Sequence, residues 1–314
     1  MLHDIAVGVD GSSASLAAAH WAAAEAQRRG TGLRVVHAWY RHARPAPYVP
    51  LDSSEHGWAE RILREAVSSV RAAHPGLRIS ERLVCDATVT ALVAAAVDAE
   101  LLALGSLGLG PLGGFVAGSV SQRVVARSAR PVVLVRAGRT TADDHLPAAD
   151  GVAPEEIPKT PCREVVVGLD VGHPCDELIE FAFDAARRRG TGLRVVCAFR
   201  IPFRTEPGPS APVPSAAFEG PTPHPRAPAQ ELADQERTVT AVLRPWRARY
   251  PAVPVTETVV EGRAPAVLVH EARDAALLVV GRRTNGRRPG AHTGPVAHAV
   301  LHHAGCPVAV VPHD

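Results

Sequence analysis

The sequence predicts an α/β protein built from two tandem copies of one domain, each a parallel sheet covered by helices on both faces. Three observations predict it. Short runs rich in Val, Leu and Ile alternate with longer Ala-rich amphipathic stretches, the pattern of strands buried on both faces and joined by helical crossovers. The chain also repeats itself: VGVD at 7–10 returns as VGLD at 167–170, and RRGTGLRVVHAW at 28–39 returns as RRGTGLRVVCAF at 188–199, both displaced by 160 residues. A repeat of that length is a whole domain rather than a solenoid unit. Finally, 314 residues exceed what a single domain of about 150 residues holds.

In the first copy the pattern places strands near 4–10, 33–39, 78–84, 100–104 and 132–136, and helices near 13–29, 58–73, 89–98 and 119–129. The first helix is well marked. Ser12 or Ser13 can cap its start, Arg28 and Arg29 complement the dipole of its last turn, and Gly30 ends it. The arginine pair therefore reads as structural rather than as a nucleic-acid contact. ARPVVLV at 129–135 returns as GCPVAVV at 305–311, now displaced by 176, so the second copy carries sixteen extra residues, placed in the Pro-rich stretch beginning FRIPFRTEPG. The domains are read as 1–136 and 162–314, with a polar, proline-bearing linker over 137–161 that lacks apolar period. Its paired acids, Asp143 with Asp144 and Glu155 with Glu156, are expected to be solvated charge, because no apolar pattern surrounds them.

Composition bounds the partners. Lys and Arg total 34 against 32 Asp and Glu, a formal charge of +2, so no overall attraction to nucleic acid or anionic membrane is indicated. Five scattered cysteines without a CxxC fit reduced thiols. The start MLHDIAVGVDG has no leader pattern, and no segment approaches the roughly 20 apolar residues of a membrane span. A cytoplasmic protein is expected.

The most informative stretch is LGSLGLGPLGGFVAGSV, residues 104–120, which holds six glycines and leads from the fourth strand into a helix. In open α/β sheets ligands sit beyond the carboxyl ends of the strands, and a helix start offers unpaired N–H groups and partial positive charge. Asp10, at the end of the first strand, lies on the same edge and can accept hydrogen bonds from a ribose or a base. GLGPLG formally satisfies GxGxxG, but it follows the fourth strand, contains Pro111 and does not open a helix at once, while GK[ST] is absent. The better spacing is Gly105, two residues, Gly108, nine residues, Gly118 and Ser119. Gly105 and Gly108 would turn the chain beneath a polyphosphate, Gly118 would allow close approach, and the Ser119 and Ser121 hydroxyls would add donors.

With these motifs the chain resembles the universal stress proteins, whose ATP-binding members carry G-x2-G-x9-G-[ST] after the fourth strand and an Asp at the end of the first. The resemblance covers essentially the whole chain as two copies. It implies a five-stranded parallel sheet in each, a Rossmann-like arrangement of the adenine nucleotide alpha hydrolase type, with adenine nucleotide between the first and fourth strands. By that analogy Val9, Asp10 and Ala38 flank adenine and ribose, Leu104, Gly105 and Gly108 underlie the phosphates, and Gly118, Ser119, Val120 and Ser121 cap them. ATP, with Mg2+ allowed beside it, is the implied cofactor. Leu107 departs from the polar or basic residue often found there. The resemblance also puts the closing strands PVVLV and PVAVV at sheet edges, where bare apolar strands invite pairing. The two domains are therefore expected to pack as an intramolecular pseudo-dimer, with self-association through other faces into a homo-oligomer.

The second copy departs further. Gly281 and Gly294 keep the separation of Gly105 and Gly118, but Thr284 replaces Gly108 and Pro295 replaces Ser119, removing a hydroxyl and an N–H donor. Arg282, Arg283, Arg287 and Arg288 read as a solvated basic loop. His298 and His302, four apart with His303, His292 and Cys306 nearby, could hold zinc, but without HExxH or an adjacent acid they read as packing or surface histidines. No catalytic signature accompanies the glycine site. A nucleotide-responsive regulatory binding protein is expected, with slow ATP hydrolysis or a scaffold that binds no nucleotide as alternatives.

Overall fold

The computed structural model describes residues 3–40, 55–106, 118–146, 160–200, 228–284 and 293–314. The first copy contains β1 (Ile5–Gly8), α1 (Ser13–Arg29), β2 (Leu33–Trp39), α2 (Glu55–Ala73), β3 (Ile79–Cys85), α3 (Thr88–Val97), β4 (Leu102–Ser106), α4 (Ser119–Arg127) and β5 (Val132–Arg136). A 3₁₀ turn follows at Thr141–Asp144. The second contains β6 (Val165–Gly168), α5 (Asp176–Arg189), β7 (Leu193–Phe199), α6 (Pro228–Arg249), β8 (Val255–Glu261), α7 (Ala264–Glu271), β9 (Leu277–Arg283), α8 (Pro295–His303) and β10 (Val308–His313).

Local chemistry explains the boundaries. Ser12 is the cap of α1, its Oγ accepting from Ser15 N at 3.1 Å, and Gly30 closes the helix in the left-handed region at φ 66°, where a side chain would be strained. Helix α4 stops at Arg127, two residues before the expected end, because Ser128 is already extended ahead of Pro131.

The ten strands of the described residues form one sheet in the order β3-β2-β1-β4-β5-β10-β9-β6-β7-β8. Within each copy every pairing is parallel, and the one antiparallel ladder joins the copies. There Val308 faces Leu134, Ala309 faces Val133 and Val310 faces Val132, so the two closing strands cover each other's edge as expected. Side-chain alternation then builds two cores. Val133, Val135, Ala309 and Val311 join the layer beneath α1, α2, α5 and α6, while Val132, Leu134, Val308 and Val310 join the layer beneath α3, α4, α7 and α8. Each core runs unbroken across both copies.

One sequence expectation needs correction and another is extended. Asp144 is fully buried, not solvated: its Oδ2 meets Arg28 Nη2 at 3.3 Å and its Oδ1 lies 3.7 Å from Arg139. The described linker ends are stitched together, with Leu146 N donating to Pro161 O at 2.9 Å and His145 bridging Cys162. Tertiary folding thus supplies the enclosure that the polar pattern concealed. Arg28 and Arg29 do more than complement a dipole, as they belong to a buried ion cluster between α1 and α5. Glu25 Oε1 takes Arg29 Nε at 2.7 Å, Glu25 Oε2 takes Arg189 Nη2 at 2.8 Å, and Arg29 also reaches Glu100 and Asp184.

Burial pushes the Glu25 carboxyl up, but Arg189, Arg29 and Arg28 outweigh it and bring it down to about 2. A depressed folded value means that Glu25 stabilises the protein fully above its unfolded value near 4.5 and loses that contribution as the pH falls towards 2. Acid titration should therefore show an extra loss of stability, about 3 kcal/mol, between those limits. The check is the pH dependence of urea midpoints for wild type and Glu25→Gln, in which the slope across that window should flatten. Glu25→Gln should itself cost about 3–5 kcal/mol at neutral pH, because Arg29 and Arg189 then stay buried without their charge partner.

Candidate nucleotide cleft

The first-copy cleft lies where β1 has β2 on one side and β4 on the other, so that the connections leave to opposite faces of the sheet. Val9 follows β1, is buried, and donates its N–H to Val36 O at 2.9 Å. Asp10 comes next and is exposed, with Oδ1 accepting from Ser12 N at 2.9 Å. The protein beneath it raises its carboxyl, but hydrogen bonds from Ser12 and Ser15 and the nearby His37 outweigh that and hold it below the usual carboxylate value. An ionised acceptor at a strand end suits a hydroxyl-bearing ligand. Ala38 is half-buried on β2.

Leu104 and Gly105 lie on β4. The need for glycine at 105 is tertiary: an added Cβ would lie 2.5 Å from the backbone carbon of Ala14, so only glycine lets β4 pass the first turn of α1. Gly118 is the cap residue of α4 and offers no side-chain cap bond, which leaves the N–H groups that open the helix to a ligand. Among the described residues, nothing lies within 4 Å of the position a Cβ would take there. Ser119 and Val120 are exposed, whereas Ser121 is buried and donates its hydroxyl to Gly105 O at 3.2 Å, tying the start of α4 to the end of β4. Gly108 and Leu107 lie outside the described residues.

Sequence reading missed two positioning residues. Ser15 Oγ accepts from Asp10 N at 3.2 Å and donates to Ser12 O at 2.9 Å, and His37 Nδ1 meets Val9 O at 2.6 Å. The S-x-x-S spacing of Ser12 and Ser15 was the available signal for the first. At the equivalent positions the second copy has Cys175 and Cys197.

The second cleft is rearranged. Asp170 survives but is engaged by Arg283 Nη2 at 3.1 Å and by His173 at 3.3 Å. Gly294 caps α8 at φ 81°, and Pro295 occupies the first helical position. Arg282 corrects the basic-loop expectation: it is buried and donates to Ser128 O, across the junction between the copies. Arg283 is exposed and ion-paired with Asp170, and Arg287, Arg288 and His292 lie outside the described residues. The His298 and His302 rings sit 4.5 Å apart, and Gln122 of α4 donates to His302 Nε2 at 3.0 Å, so the pair belongs to the contact between copies. Burial pushes the Cys306 thiol up to about 11. Among the described residues, no helix is long and apolar enough to cross a membrane.

Fold and cleft together define a tandem, doubly wound α/β protein with one switch-point cleft in each copy. The chain belongs to the universal stress protein family, whose model matches residues 1–136 and again 161–312. A universal stress protein of Mycobacterium tuberculosis strain H37Rv is 33% identical, the match covering 98% of this chain and 96% of the relative. The crystal structure of a universal stress protein from Archaeoglobus fulgidus DSM 4304 matches the fold with a TM-score of 0.64 at 16% identity, covering all of both chains. A universal stress protein from Archaeoglobus fulgidus solved in complex with dAMP is 26% identical, covering 42% of this chain and 97% of that one, with a TM-score of 0.34.

Proposed function

We propose that this chain is a universal stress protein that binds ATP in its first copy and acts as a nucleotide-responsive regulatory protein. The observation that carries the reading is the coincidence at one switch point of an ionised Asp10 after β1 and an uncapped start of α4 held against β4 by the Ser121–Gly105 bond. The carboxylate accepts from ribose hydroxyls, Val9 and Ala38 flank the base, Leu104 underlies the phosphates, and the N–H groups after Gly118 with the Ser119 hydroxyl receive them. Gly105 lets β4 pass close to α1 beneath this edge, and Gly108 belongs to the same motif. Mg2+ accompanies the triphosphate as its counter-ion.

ATP at a hundred times its dissociation constant should stabilise the protein by about 2.7 kcal/mol per occupied site, read as a rise in the denaturation midpoint. Asp10→Asn keeps the acceptor for Ser12 N but removes the charge, and should weaken ATP about tenfold. An unchanged midpoint at millimolar ATP would overturn the assignment, and an Asp10→Asn affinity equal to wild type would remove Asp10 from the site. Phosphate release at steady state separates slow hydrolysis from binding alone.

A further inference from the structure

The ladder that joins the copies is symmetric. Val132, Val133 and Leu134 repeat as Val308, Ala309 and Val310, and the register sets Val133 opposite its own repeat Ala309 and Val132 opposite Val310. Each closing strand therefore meets the repeat of itself about a pseudo-twofold axis, the arrangement of an isologous interface. The same backbone bonds and apolar contacts would form between two first copies or between two second copies. By itself such an edge does not choose its partner. Nor does the polar contact on one side of the sheet, since Arg282 reaches the backbone carbonyl of Ser128 and the second copy offers that of Ala304 at the repeated position.

The charges between α1 and α5 do differ. Arg29 and Arg189 repeat each other, are both buried, and converge on Glu25 at 2.7 and 2.8 Å. Arg29 is held by Glu100 as well. The second copy has Ala185 where the first has Glu25, and Ala276 where the first has Glu100. Its own acid on this face, Asp184, is alanine in the first copy and takes Arg187 and Arg188 of the same helix at 2.6 Å each. The first copy thus brings acids for the arginines of both copies, whereas the second brings three arginines and one acid that two of them already engage. Two second copies joined by this ladder would bury Arg189 against Arg189 with alanine between them. A buried charge without its partner is strongly destabilising.

We infer that the buried cluster is a partner code for the closing edge: β10 accepts the edge of a first copy and rejects that of another second copy. A self-complementary strand is thereby kept from linking chains through their second copies. Asp144 strengthens the choice, because it brings a further acid to Arg28 on the stretch that follows β5. The inference rests on no ligand reading.

Glu25→Ala with Glu100→Ala gives the first copy the second copy's residues at both positions, so that the full chain carries at its own junction the charges of a second-copy pair. The paired form should be weakened at least about a hundredfold. Small-angle scattering through a urea series should show the copies parting at lower urea than in wild type, with helical circular dichroism retained and the mass of one chain by light scattering. Adding Arg189→Met removes the buried cation, leaves Arg29 with Asp184, and should return the parting to the wild-type urea concentration. That recovery separates a choice of partner from damage to the first copy. Parting at the wild-type urea concentration in the double alanine variant overturns the code. Dimers of that variant also overturn it, because the freed edges then pair without the acids. So does parting or unfolding that Arg189→Met fails to reverse.

Discussion

Val133→Lys combined with Ala309→Lys should part the two copies. The two residues face each other in the antiparallel ladder, and both are fully buried in the core shared by the copies. Two ammonium groups placed there would be desolvated and would repel across one cross-strand pair, at a cost of several kcal/mol. Each copy keeps four other strands and its own helices, so helical content should survive while the copies separate. Small-angle scattering reads the outcome: a radius of gyration near 20 Å suits the compact chain, from about 2.2·N^0.38, and the variant should exceed it clearly. Val133→Lys with Ala309→Glu should recover part of the compact form. A double lysine variant that scatters like wild type would show that the ladder does not hold the copies together.

Gly118→Val with Ser119→Pro should abolish ATP binding by the first copy, a loss of at least about a hundredfold. The valine enters space that no described residue occupies, and the proline removes the hydroxyl and one of the N–H donors at the start of α4. The fold should tolerate the change, because α8 already begins with Pro295 after a glycine. Undiminished affinity in a folded variant would place the phosphates elsewhere.

Most of the architecture was legible in the chain. The limits of α1, β2 and β5 coincide with those expected from caps, apolar period and the repeat, since such signals act within a few residues. The cleft was partly legible. Asp10 was read from its place at the end of the first strand, Gly105 and Gly118 from their spacing and Ser121 from the start of the helix, whereas the support of Asp10 by Ser15 and the contact of His37 with Val9 arise only when β1, β2 and α1 are assembled. Gly105 was expected to make room for phosphate, but the nearest atoms to its missing Cβ belong to α1.

By itself the sequence determined the strand and helix order, the duplication, the switch-point cleft and the replacement of Gly108 and Ser119 by Thr284 and Pro295 in the second copy. Only the tertiary structure decided which charges are buried. Glu25 and Asp184 are each alanine at the repeated position, and Asp144 belongs to the linker, yet all three meet the arginines of α1 or α5 in one cluster. Arg282 bonds to Ser128, and Arg127 faces a cavity of the other copy, again across long separations in the chain. Helix and strand propensities are properties of neighbouring residues, whereas the energy of a charge depends on whatever surface excludes water from it, and here that surface comes from the opposite copy.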